Sequence, residues 1–279
     1  MTNSYYYSRQ PLPRRKTEMT FDPGFDIRVG YDPLSFAYGK GVYGPEPEYR
    51  SLDAIRQSLL DPDCDGPDPV YCIAMDTGKV KDKDAMVQRD LLYGVVTYSK
   101  GLLGKEPVRS QGHIHAVSAS CGMSTPEVYE IWSGSAYIYM QETADDDPGR
   151  CFAILCNPGD VVMVPPGWAH ATFVADTSRN LTFGAWCVRD YGFDYKGVRA
   201  HHGLAWFPEV QEDGSTKFLK NTNYPDLHGK VEVRGPRSYE DFGIEKGKPI
   251  YTQFEEDPDK WMFVSKPQRY MDLWKNYRP

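Results

Sequence analysis

Two histidines stand one residue apart in "QGHIH" (His113 and His115), and after eleven further residues a glutamate, Glu127, opens "EVYEIW". A third histidine, His170, closes "NPGDVVMVPPGWAH". Residues i and i+2 of a strand point to the same face, so His113 and His115 project together while Ile114 turns away. Two imidazoles presented in this way can share one ion at roughly 2.0–2.2 Å from each nitrogen. In "PEVYEIW", Glu127, Tyr129 and Ile131 share one face, and Val128, Glu130 and Trp132 share the other. Glu130 is therefore the rival carboxylate, and Glu127 is the one assigned to the ion. The Pro-Pro-Gly turn redirects the chain so that the strand carrying His170 starts inside the same cavity. Three neutral nitrogens and one carboxylate suit a divalent first-row ion with open positions left for a substrate. One such ion per chain is expected, Fe2+ first, with Mn2+, Ni2+ or Zn2+ fitting the same donors. A lone histidine is more often a surface or hydrogen-bonded core residue, and His201, His202 and His228 are read that way.

The elements that must position these side chains are strands. From residue 70 onward, short β-rich runs alternate with turn residues: "VYCIAM", "LLYGVVTY", "VRSQGHIH", "EVYEIWSG", "SAYIYMQ", "CFAILC", "DVVMVP", "HATFVA" and "LTFGAWCV". Their spacing predicts an all-β barrel or sandwich, with Ser133-Gly134 and "NPGD" as turns. Before them, "SLDAIRQSLL" predicts a short helix capped by Ser51, with Leu52, Ile55, Leu59 and Leu60 on one stripe. Residues 1–48, rich in Tyr, Pro and Gly, read as an extended N-terminal arm lying over the body or over a neighbouring subunit. Residues 49–207 read as the barrel domain. Residues 208–279 carry too few recurrent apolar positions for a core of their own and are expected to pack on the barrel as a C-terminal extension.

Bulk composition narrows the function classes. The chain has 279 residues and a formal charge of −7, which argues against a surface that coats nucleic acid. Six cysteines without a CxxC pair read as free thiols of a reducing compartment. No apolar run approaches the ~18 residues of a membrane span, and no apolar segment follows the basic residues near the N-terminus. A cytoplasmic protein with a small-molecule partner is the expectation.

These motifs resemble the cupin superfamily. His113, His115, Glu127 and Gly134 match its first motif, and Gly159, Pro165, Gly167 and His170 match its second. Val174 stands where that motif ends in a non-ligating Asn, and the long gap before Glu127 places "AVSASCGMSTP" in a protruding loop. The resemblance implies a double-stranded β-helix (jelly-roll) barrel. Within the superfamily, "QGHIH", "EVYEIWSGSA", "PGDVVMVPPGWAHATFV" and "DYGFDY" resemble the archaeal-style glucose-6-phosphate isomerase family. That resemblance implies metal-dependent interconversion of glucose 6-phosphate and fructose 6-phosphate. Glu127 would then serve as base in an enediol route, unless hydrogen passes directly between the two carbons. Tyr129 would bind a sugar oxygen, relay a proton, or simply form an aromatic wall. For the phosphate the resemblance points to Thr97, Ser110 and the backbone amide of Gly112, with Tyr195 at the far end; Lys105 and Arg109 are set aside. Phe193 replaces a histidine that the family places just before Asp-Tyr, a residue associated with sugar-ring opening, so either another group or water opens the ring or the substrate is a closely related sugar phosphate. Homodimerisation is implied as well. The competing readings are a metal-dependent cupin dioxygenase and a non-catalytic, sugar-binding cupin.

Overall fold

The computed structural model describes residues 19–275 and 277–279; the first part of the expected N-terminal arm, residues 1–18, lies outside the described residues. Two sheets face one another. The larger runs in the order Val161–Val164, Glu127–Ser133, Leu181–Val188, Leu91–Tyr98, Tyr71–Ala74 and Glu48–Arg50, every neighbour antiparallel. The smaller runs Ala169–Val174, Ala136–Gln141, Cys151–Cys156 and Val231–Arg234, with only the last pair parallel. This is an all-β architecture of two facing sheets, with short helices confined to its margins.

Three apolar layers explain why the strands read as they do. Between the sheets, Ile131, Phe183, Ala185 and Val96 meet Ile138, Met140, Phe152 and Ile154. The outer face of the larger sheet, with Tyr93, Trp132 and Trp186, is covered by Phe25 and by Tyr239, Tyr251, Phe254, Trp261 and Trp274. The outer face of the smaller sheet is covered by Val198, Leu204, Trp206 and Tyr224. A strand buried on both faces has no reason to alternate, and Leu91–Tyr98 and Leu181–Val188 are indeed buried at every position. The aromatics scattered beyond residue 207 therefore serve the barrel's outer walls.

From Met19 the arm folds back on its own chain. Thr20 and Phe21 N–H groups donate to the Trp132 carbonyl, and Ile27–Tyr31 pairs with Leu34–Tyr38 as a hairpin. The helix expected at 51–60 is only a single 3-10 turn, Arg56–Ser58. Ser51 Oγ does accept from Ala54 N at 3.3 Å. Leu52, Ile55 and Leu59 enter the core, but Leu60 is 37% exposed, so the apolar stripe is one residue too short to hold a longer helix.

Gly134 shows how the turns fix the register. Its φ of +72° is left-handed, and a Cβ there would lie 2.5 Å from the Asn180 carbonyl oxygen. Only glycine makes the step from Glu127–Ser133 to Ala136–Gln141 without strain. No helix among the described residues is long and apolar enough to cross a membrane.

Candidate metal centre

The "VRSQGHIH" run is mostly irregular, because it runs along the margin of the smaller sheet before joining a separate two-stranded pair. It touches the smaller sheet only through isolated bridges, Arg109 with Phe173 and His113 with His170. It then pairs Ile114–His115 with Phe193–Asp194. Irregular backbone here serves the site: the run carries His113 over His170 while His115 enters from the next short strand. The His113 and His115 rings stack with centroids 5.4 Å apart, and the His170 ring lies 4.5 Å from His113 and 5.0 Å from His115.

Glu127 completes the cluster. One ligand atom from each of His113, His115, Glu127 and His170 falls within 4.8 Å of the others. Glu127 Oε2 is 3.2 Å from His115 Nε2 and 3.4 Å from His170 Nε2. The ring orientations are set from behind: His115 Nδ1 meets the Thr125 carbonyl and His170 Nδ1 the Trp168 carbonyl, both at 3.0 Å. Those bonds place the protons on Nδ1 and leave the Nε2 lone pairs aimed at the centre.

Electrostatics agree with that tautomer. Burial pushes the His113 imidazole well below its ordinary range, reinforced by His170 and His115, and burial lowers His170 too. Both are therefore neutral at physiological pH, as metal ligation requires. Burial would raise the Glu127 carboxyl, but hydrogen bonds shared with His115 and His170 outweigh it and hold it well below the usual carboxylate range, so a proton entering the cluster goes to an imidazole before it goes to Glu127. Nε2 of His113 and Nε2 of His170 are buried without a hydrogen-bond partner. Orphaned acceptors of that kind beside an ionised carboxylate fit a bound cation.

Around the cluster, Tyr129 Oη donates to Glu127 Oε2 at 2.6 Å, and Cys187 Sγ donates to Oε1 at 3.3 Å. Burial pushes the Tyr129 phenol well up, helped by Glu127, so it stays protonated. Cys187 carried no signal in the sequence: Leu181–Val188 is buried on both faces, and only the fold puts Phe183, Ala185 and Cys187 on the cavity face. Phe193 lies against His113 with ring centroids 4.5 Å apart. Glu130 is on the opposite face, wholly buried, and bonds Ile250 N and Trp132 Nε1.

Ser110, Gly112 and Tyr195 line the same cavity as the imidazoles. The expectation for Thr97 is corrected. Gly94, Val96 and Tyr98 face the cavity, so the pleat turns Thr97 outward, where Oγ1 donates to the Leu181 carbonyl and meets Thr182 Oγ1 at 3.0 Å. Arg109 is fully buried and ion-paired with Glu106 at 2.5 Å, while Lys105 sits exposed, 3.7 Å from Glu209. Of the histidines set aside, His201 is bound to Asp146 and stacked on Tyr224. The cavity wall also includes Arg50, from the edge strand Glu48–Arg50. Nothing in "EYR", too short to show a period, marks it in the sequence.

A family model described as Glucose-6-phosphate isomerase (GPI) matches residues 36–226. Glucose-6-phosphate isomerases of Pyrococcus furiosus and Pyrococcus horikoshii are each 31% identical over 135 residues, 48% of this chain and 65% of theirs. That of Thermococcus kodakarensis is 29% identical over 137 residues, 49% of this chain and 66% of its own. The match thus spans a little under two thirds of these curated relatives. Among solved structures, an oxalate oxidase is similar at a TM-score of 0.35, with 12% identity over 46% of this chain and 56% of that one. Fe(II)-HppE with (S)-1-HPP is similar at 0.32, with 13% identity over 60% of this chain and 61% of that one.

Proposed function

This chain belongs to the glucose-6-phosphate isomerase family, and from that premise we propose that it is a metal-dependent aldose–ketose isomerase interconverting glucose 6-phosphate and fructose 6-phosphate. His113, His115, Glu127 and His170 would hold one divalent ion, Fe2+ first among Mn2+, Ni2+ and Zn2+. Bound there, such an ion supplies Lewis-acid polarisation of the open-chain carbonyl. The observation that carries the reading is the pair of orphaned, buried Nε2 atoms converging with a Glu127 oxygen in a cavity that also offers polar groups for a sugar phosphate.

The remaining work falls to this chain's own groups. Tyr129, protonated and bonded to Glu127 Oε2, fixes the carboxylate and keeps a proton within reach of a sugar oxygen. Ser110, the Gly112 amide and Tyr195 bind and orient the substrate from the cavity wall. Phe193 packs on the His113 ring and offers no proton for ring opening, so either another group or water opens the ring or the substrate is a closely related sugar phosphate. Six free cysteines support a reducing, cytoplasmic setting.

The test is an isomerase assay over hexose and pentose phosphates with the apoprotein reloaded with each ion in turn. Turnover of glucose 6-phosphate, restored by at least one ion and lost on chelation, is the expected result. No turnover of any sugar phosphate with any ion would overturn the reading.

A further inference from the structure

The cavity has a cationic corner supplied by the region before the barrel strands. Register places Arg50 directly opposite Tyr71, and Tyr71 directly opposite Tyr98. Residues opposed across neighbouring strands share a face, so a guanidinium and two phenols form one row across three strands. The Tyr71 and Tyr98 rings stack with centroids 4.7 Å apart. All three residues line the cavity, together with Ser110, Gly112 and Tyr195.

Arg50 is the one lysine or arginine among the cavity's described lining residues. Its Nε is buried and has no hydrogen-bond partner, while its backbone is held by Val70 N–H donating to the Arg50 carbonyl at 2.8 Å. Burial pushes the Tyr71 and Tyr195 phenols up, and the nearby Arg50 charge opposes the rise at both, with a side-chain hydrogen bond joining Arg50 to Tyr71. Tyr195 also lies 5.9 Å, ring to ring, from His113, so it links the cationic corner to the imidazole cluster. Glu48 shares the strand and the cavity wall, but its side chain is largely exposed and water screens it. A buried donor left unpaired is costly, and a planar guanidinium opening into a cavity is matched by an anion that accepts two parallel bonds.

We propose that Arg50 is the phosphate anchor of this site, with Tyr71 and Tyr195 flanking it. The inference rests on the sugar-phosphate reading above and adds that recognition is ionic at that end of the cavity. The hydroxyl expected from Thr97 is turned away and Val96 takes its place on the wall; the charge of Arg50 does the binding that a hydroxyl there would have done. The phosphate thereby fixes which end of the sugar reaches the imidazoles, and an unphosphorylated hexose lacks the group that positions it.

The experiment is calorimetric titration of inorganic phosphate into the full chain, its Arg50→Met variant and its Arg50→Lys variant, with circular dichroism to verify folding. Hydrogen bonds to charged groups predict a loss of about tenfold or more in phosphate affinity for Arg50→Met, with Arg50→Lys in between. In turnover, Arg50→Met raises KM for fructose 6-phosphate by a similar factor, with kcat and metal stoichiometry close to wild type. Equal phosphate affinity in wild type and Arg50→Met, or no phosphate binding by wild type, overturns the anchor. Phosphate binding that depends on Arg50 in a protein that isomerises nothing keeps the anchor and removes the isomerase reading instead. Should Arg50→Met fail to fold, Arg50→Lys decides: it keeps the charge and loses the fork, and undiminished phosphate affinity in it overturns the two-bond recognition.

Discussion

His113 and His170 face each other across a hydrogen-bonded β-bridge: His113 N donates to the His170 carbonyl at 3.1 Å, and His170 N donates to the His113 carbonyl at 2.9 Å. The bridge joins two segments that are far apart in sequence and sets their rings 4.5 Å apart. The backbone itself thus holds two of the donors together. A divalent ion at a hundredfold excess over its dissociation constant should add about 2.7 kcal/mol of stability. For a chain of this size that is a rise in Tm of roughly 5–10 °C. Differential scanning fluorimetry with Fe2+, Mn2+, Ni2+ and Zn2+ measures it, and His113→Ala should abolish the rise. An equal rise in the variant would place the ion elsewhere.

Tyr129 is two residues beyond Glu127 on the same strand face, and its 2.6 Å bond to Oε2 is a charge-assisted one. Such a bond contributes about 1.5–3 kcal/mol. Tyr129→Phe should therefore lower kcat by about ten- to a hundredfold while metal stoichiometry, read by elemental analysis, stays near one per chain. Loss of the metal along with the activity would make the phenol a support for ligation and nothing more.

Glu130 behaves in the opposite way to its neighbour. It is wholly buried on the other face of the sheet, and burial pushes its carboxyl up to about 8, although Ile250 N and Trp132 Nε1 both donate to it. In the unfolded chain it titrates near ~4.3. Between those values the unfolded state has released a proton that the folded state keeps, so stability falls as pH rises through the window and levels off above it. The stability of wild type minus that of Glu130→Gln, from urea denaturation, should decline by up to several kcal/mol between about pH 4.5 and 8. A difference that stays constant across that window would mean Glu130 is already ionised in the fold.

How much of this was legible depended on period and on distance along the chain. His113, His115, Glu127 and His170 announce themselves because i, i+2 alternation and the turn motifs are local properties. Thr97 came from the family resemblance, and Leu91–Tyr98, buried on both faces, offers no parity against which to check it; the partner strands decide that Val96 and Tyr98 face inward. Arg50 was invisible because its place in the cavity comes from pairing with Tyr71, a contact across an irregular loop. Leu60 shows the same limit: the stripe predicted a helix, and the core had room for only one turn of it. Sequence patterns reported which side chains share a face; they did not report which face a doubly covered strand turns to the cavity.

The route of the hydrogen follows from the same electrostatics that favour metal binding. With the Nε2 lone pairs of His115 and His170 aimed at the centre, a cation held among His113, His115, Glu127 and His170 would hold the Glu127 carboxyl down. A carboxylate so stabilised is a poor base toward a C–H bond next to a carbonyl, where rate depends on base strength. Direct transfer requires no such base: the C2–H bond breaks with its electron pair moving to C1, and the hydroxyl proton of O2 passes to O1. Isomerisation of glucose 6-phosphate in deuterium oxide should therefore give fructose 6-phosphate with almost no carbon-bound deuterium, as read by mass spectrometry after brief reaction. Close to one deuterium per turnover would mean that Glu127, or a base it governs, removes the proton despite its stabilisation.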